Sequence, residues 1–195
     1  SYRLPPGLIS HVRKFADLFI KDKEVVLQNE AQLELSLYHS KLSWVQSSGN
    51  SLPDTAAREL FRLVESAEPD VLAIPDICLI VDKREHGAEI VRQLEERKVS
   101  VSHTFDTDTR DARQKKLFFF KGDARVKATT LHSFKGWEAR AIILVLSRGG
   151  GSSAGAIYTG LTRLKRHTAG SYLTVISGAE DLVPYGRSWP EFVAG

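Results

Sequence analysis

Three short stretches of this chain hold residue types that can do chemistry on phosphates. In Thr129-Thr130-Leu131-His132-Ser133-Phe134-Lys135-Gly136-Trp137-Glu138, hydroxyls and a histidine lead to a Lys-Gly corner and then a carboxylate. A polar turn at a strand end offers hydroxyls and backbone N–H groups to phosphates, and a glycine lets the backbone approach closely. In Ile157-Tyr158-Thr159-Gly160-Leu161-Thr162-Arg163-Leu164-Lys165-Arg166, apolar residues at helical spacing carry Arg163 near the end of a helix. A guanidinium has five fixed donors and stays protonated, so it can hold the spreading charge of a phosphoryl group under in-line attack by water. The third stretch is the opening Ser1-Tyr2-Arg3-Leu4-Pro5-Pro6, where a ring able to stack on a base adjoins a cation able to reach a phosphate. Plainer readings exist for each: a polar surface turn, a basic helix end complementing the helix dipole, and an exposed terminus. Lys165 and Arg166 fit the plain reading and receive no role.

The elements that must position these residues alternate. Leu8, Val12, Phe15 and Phe19 recur at helical spacing and predict an amphipathic helix from about Pro6 to Ile20. One or two strands follow between Val25 and Val45, then a polar loop, Ser47-Ser48-Gly49-Asn50-Ser51, and a second helix starting at Pro53. The run Ile77-Cys78-Leu79-Ile80-Val81 is apolar at every position, as in a central strand of a parallel sheet, and Glu85 to Lys98 follows as a helix. Strands are expected at Val99–Ser102, Val126–Leu131, Ala141–Leu146 and Tyr172–Ile176, the last of them. Gly149-Gly150-Gly151-Ser152-Ser153 is expected to be a flexible loop leading into the helix that carries Ile157, Leu161 and Leu164. This alternation predicts an α/β domain with a mostly parallel sheet.

Composition bounds the reading without choosing a function. A chain of 195 residues with 42% hydrophobic content can bury a core without metals or disulfides. Its one cysteine, Cys78, falls inside an apolar run and reads as a buried small hydrophobe in a reducing compartment. No stretch approaches the roughly 20 apolar residues needed to span a bilayer, so a cytoplasmic protein is expected. A net charge of +3 is too small to decide on a polyanionic partner. The chain opens at Ser1 and holds no methionine, which sets the expectation of a piece cut from a longer protein.

Together, the three stretches resemble motifs IV, V and VI of UvrD/Rep-type superfamily 1 DNA helicases. Residues 129–138 are similar to motif V, with its Thr-Leu/Ile-His-x-x-Lys-Gly-Leu/Trp-Glu pattern, and residues 157–166 are similar to motif VI. The opening resembles motif IV, with serine in place of the usual asparagine and Leu4 in place of the usual serine. The resemblance runs from Tyr2 to about Ile176 and implies a RecA-like, three-layer α/β/α second motor domain over residues 1–178, with residues 179–195 as a tail or the start of an extension. It implies that Arg163 is an arginine finger, and that Arg3 is the second catalytic arginine, reaching the terminal phosphate. Tyr2, Gly136 and Glu138 would contact ATP, and Thr130, His132 and Ser133 the backbone of single-stranded DNA.

Two departures qualify the family pattern. The large helical insertion that many members carry before motif V is replaced by a short mixed-charge stretch, Asp106 to Lys116. No Gly-x-x-x-x-Gly-Lys-Ser/Thr occurs, so the Walker lysine and the magnesium-binding hydroxyl are absent from the sequence. ATP with Mg2+ is therefore expected to be held mostly by an N-terminal P-loop domain of the same parent chain, leaving this chain inactive alone. Asp82 sits where a Walker B aspartate would, but without a P-loop it reads as a turn or cap residue. His11, His39, His86, His103 and His167 have no metal spacing. Two other functions stay open: a non-catalytic nucleic-acid or partner-binding module with a helicase-like fold, and a phosphate-handling transferase using Gly149–Gly151 as a cradle.

Overall fold

The run Ile77–Val81 forms β2, an interior strand third in the order of a seven-stranded sheet in the computed structural model, which describes residues 4–20, 38–48, 51–68, 71–105 and 123–194. Every side chain of β2 is buried, and the strand period of two divides them. Cys78 and Ile80 enter one core, and Ile77, Leu79 and Val81 enter the other. β5 (Ala141–Leu146) divides in the same way, with Ile142, Leu144 and Leu146 facing the first core and Ala141, Ile143 and Val145 the second. A strand covered on both sides has no polar face to show, and this is why both sequences are unbroken apolar runs.

In chain order the elements are α1 (Pro6–Phe19), β1 (Ser40–Gln46), α2 (Leu52–Glu65), β2, α3 (Arg84–Glu96), β3 (Val101–His103), β4 (Val126–Thr130), β5, α4 (Gly150–Leu161), β6 (Ser171–Ser177), α5 (Val183–Gly186) and β7 (Glu191–Ala194). The strand order is β3-β4-β2-β5-β6-β1-β7, and every pairing is parallel. Helices α2 and α3 cover one face and α1 and α4 the other, giving the three-layer α/β/α arrangement expected from the sequence. The strands therefore begin together at one edge, the amino edge, and end together at the other, the carboxyl edge.

Two sequence expectations need correction. The glycine run is not a loop ahead of a helix: α4 begins at Gly150, with a kink at Gly151. The reason is packing, since a Cβ at Gly150 would collide with the Phe19 ring and one at Gly149 with the Asp181 carboxylate. Nor is β6 the last strand. Residues 180–194, beyond the reach of the sequence resemblance, bury Tyr185 and Trp189 against Trp44 and add β7 beside β1. The Tyr185 hydroxyl donates to the His11 carbonyl at 2.9 Å, tying this segment to α1. Cys78 is buried, and burial pushes its thiol pKa up. No described helix is long and apolar enough to cross a membrane. The segment Asp106–Lys116, the residues 21–37 and the opening Tyr2 and Arg3 lie outside the described residues.

Candidate functional site

Residues 131–138 carry the chain from the carboxyl edge at Thr130 back toward the amino edge, where β5 starts at Ala141. The crossover is anchored at its beginning by the Leu131 N–H, which donates to the Val81 carbonyl at 2.9 Å. Thr130 shapes the turn that follows: its hydroxyl accepts from the Ser133 N–H at 3.3 Å and donates to the Ser133 hydroxyl at 3.2 Å, and its carbonyl accepts from the Phe134 N–H. Phe134 is buried in the core beneath, so the polar side of the turn is held outward. His132 and Lys135 are exposed there. Gly136 has φ +92°, a left-handed conformation that costs glycine little, and Trp137 beyond it is 44% exposed.

At the amino edge the end of this crossover meets the end of α4. The Ala139 N–H donates to the Arg163 carbonyl at 3.1 Å, and the Lys165 N–H donates to the Ala139 carbonyl at 2.8 Å, forming a parallel bridge between Ala139 and Leu164. Glu138 and Arg163, the residues immediately before each bridge partner, are thereby set side by side on adjoining backbones. Leu164 is buried and locks this pairing to the core. Arg163, just past the end of α4, is half-buried, and its Nε donates to the Thr159 carbonyl in the last turn of that helix at 3.2 Å. Its two terminal nitrogens have no hydrogen-bond or ion-pair partner among the described residues. Leu4 is buried in the same core, and Gly7 lies against Ser40 at the start of β1, so the N-terminal end of α1 also belongs to this edge.

Arg140, which the sequence reading did not single out, organises the amino edge. Its guanidinium is buried and donates to the carbonyls of Gly170 at 2.7 Å, Ala169 at 2.7 Å and Val71, with Asp76 at 3.7 Å as its ion-pair partner. An arginine just ahead of an apolar strand is a weak signal, because its partners are scattered along the chain and are acceptors any residue supplies.

The carboxyl edge is tied by carboxylates instead. Asp82, at the end of β2, accepts at Oδ2 from the Ser147 N–H (2.7 Å), the Ser147 hydroxyl (2.8 Å) and the Arg148 N–H (3.0 Å). It clamps the loop after β5, in keeping with a turn or cap residue, while its Oδ1 is buried without a hydrogen-bond partner. Asp181 accepts from the Gly150 N–H at 2.8 Å, placing an internal carboxylate at the start of α4. That is where a phosphate would sit if Gly149–Gly151 were a cradle, and the position is filled. Among the described residues no three His, Cys, Asp or Glu side chains gather as a metal site.

No family model matches the sequence, and a search of curated proteins finds no match. Among solved structures, the chain is similar to the C-terminal domain of a possible DNA helicase from Lactobacillus plantarum WCFS1, with a TM-score of 0.57 at 13% identity over 100% of this chain and 98% of that one. It is also similar to the C-terminal domain of the DEAD-box protein Dbp5, with a TM-score of 0.50 at 14% identity over 81% of this chain and 90% of that one. The fold is the RecA-like α/β fold of helicase C-terminal domains, as the sequence resemblance implied. The fold is shared with the C-terminal domain of a DEAD-box protein as well as with that of a possible DNA helicase.

Proposed function

We propose that this chain is the second motor domain of a UvrD/Rep-type, ATP-dependent DNA helicase, facing an N-terminal P-loop domain of the same parent chain across the ATP site. The observation that carries this reading is the Ala139–Leu164 bridge, which brings the end of the motif V-like stretch and the arginine of the motif VI-like stretch to one edge of the sheet. The residues fit part of a nucleotide site. Arg163 has terminal donors to give, and the backbone at Gly136 is open to close approach, with nothing near where a Cβ would stand. Magnesium is assigned to the P-loop domain, whose Walker hydroxyl would hold it together with the ATP phosphates.

In this reading, bound ATP supplies the phosphoanhydride that is hydrolysed. Arg163, with Arg3, holds the charge that develops on the terminal phosphoryl group, Glu138 and Gly136 line the nucleotide, and Tyr2 stacks on the base. Thr130, His132 and Ser133 hold the backbone of single-stranded DNA at the far end of the same crossover. Closing and opening of the cleft through the turnover cycle steps the two domains along the strand. Arg163→Ala in the full-length parent is expected to lower ATP turnover by about 10³-fold while leaving most of the DNA affinity. Near-normal turnover overturns the reading.

A non-catalytic nucleic-acid or partner-binding module is the second reading, and the hydrogen bond from Arg163 Nε to the Thr159 carbonyl favours it, because a helix-capping arginine behaves in that way. It predicts a parent protein without ATP turnover, in which Arg163→Ala changes stability alone.

A further inference from the structure

Arg163 stands at the start of the connection from α4 to β6, and both ends of that connection are fastened to two consecutive residues. Near its beginning, the Ala139 N–H donates to the Arg163 carbonyl at 3.1 Å and the Ala139 carbonyl accepts from the Lys165 N–H at 2.8 Å. At its far end, the Arg140 guanidinium donates to the carbonyls of Ala169 and Gly170, each at 2.7 Å. Between these ties, the Ser171 hydroxyl at the head of β6 donates to the Lys165 carbonyl at 2.8 Å. The place of this segment therefore follows that of residues 139 and 140. The guanidinium is held from the other side as well: it donates to the Val71 carbonyl and lies 3.7 Å from the Asp76 carboxylate, both in the segment that leads into β2. Because β5 lies between β2 and β6 in the sheet, the side chain at its entrance joins the two neighbouring loops. A planar guanidinium carries its donors in a fixed fork and holds acceptors on two sides at set angles, which a single ammonium does not. The Arg140 side chain is 9% exposed, so these hydrogen bonds act in a medium that strengthens them.

We propose that Arg140 is the positioning residue for Arg163: by fastening residues 169 and 170 to the segment ahead of β2, it fixes the connection from which Arg163 reaches the terminal phosphoryl group. The role of Arg163 rests on the helicase reading above, while the role of Arg140 rests on its own hydrogen bonds. Arg140 is buried and acts through the backbone. It keeps the Arg163 guanidinium within reach of the charge that develops in the transition state, where a displacement of about 1 Å costs on the order of 10²-fold in rate. Such a loss falls on kcat and not on the binding of ATP, which the P-loop domain mainly holds. If Arg140 served folding alone, its loss would lower the melting midpoint and leave the kcat of the folded molecules unchanged.

The test is steady-state ATP turnover of the full-length parent carrying R140K, D76N, R163A or R140K with R163A, at a temperature at which circular dichroism shows each variant folded. R140K keeps a cation beside Asp76 but offers one nitrogen in place of the fork. It is expected to lower kcat by about 10- to 100-fold with the KM for ATP within about twofold of wild type. D76N changes a carboxylate that is 44% exposed and so leaves the core intact even where R140K does not fold. It is expected to lower kcat by about two- to fivefold, the scale of a partly exposed ion pair. The double variant is expected to turn over ATP no more slowly than R163A alone, since both substitutions act through one guanidinium. Wild-type kcat in both R140K and D76N overturns the positioning role, as does full multiplication of the R140K and R163A effects. In either case a loss of turnover in R163A leaves the helicase reading standing. A raised KM for ATP with unchanged kcat in R140K also overturns the positioning role, because Arg140 then serves binding. Near-normal turnover in R163A, or a parent without turnover, overturns the helicase reading and the role of Arg140 with it.

Discussion

The two edges of this sheet are held together by different chemistry. At the carboxyl edge, side-chain carboxylates of Asp82 and Asp181 satisfy the N–H groups of the loops and of the first turn of α4. At the amino edge, a backbone bridge joins Ala139 to Leu164, and the buried Arg140 satisfies carbonyls. In a parallel sheet the helices start at the carboxyl edge and end at the amino edge, so donors are left over at the first and acceptors at the second. Carboxylates answer the former and a guanidinium the latter. The helix start, where a phosphate cradle would lie, already holds Asp181, whereas the helix end sets Arg163 and Glu138 on adjoining backbones, the arrangement on which the proposed function rests.

Three substitutions put that contrast at risk. The largest expected effect is the loss of about 10³-fold in ATP turnover for Arg163→Ala in the parent protein, measured by steady-state phosphate release. A small change there would remove the amino edge as the chemical edge. Arg140→Met is next: it leaves several carbonyls and Asp76 without their guanidinium and is expected to cost about 3–5 kcal/mol, lowering the thermal midpoint by about 10 °C. An unchanged melting curve would mean that the amino edge does not depend on this tie. Asp181→Ala is the smallest, with an expected loss of about 1 kcal/mol, or about 2–4 °C, read from the same melting experiment. A larger loss than that of Arg140→Met would reverse the ranking of the two edges.

Much of the architecture was legible in the residues. The unbroken apolar runs at Ile77–Val81 and Ala141–Leu146 announced strands covered on both faces, and the spacing of Leu8, Val12, Phe15 and Phe19 announced α1, since a buried face imposes its period on the chain. The motif-like stretches marked the turn at Thr130–Ser133 and the helix end at Arg163 because their local composition is unusual. The glycine run misled for the same local reason. Three glycines read as freedom, while their neighbours in space, Phe19 and Asp181, come from distant parts of the chain.

By itself the sequence determined most of the strands and helices as far as β6 and which side chains were candidates for phosphate chemistry, because periodicity and residue type are properties of short stretches. Only the tertiary structure decided the strand order, the backbone bridge that sets Glu138 and Arg163 on adjoining segments, the clamping of Arg148 by Asp82 and the capping of α4 by Asp181. Each of these joins residues far apart along the chain, and a hydrogen bond between them leaves no mark on the spacing of either partner.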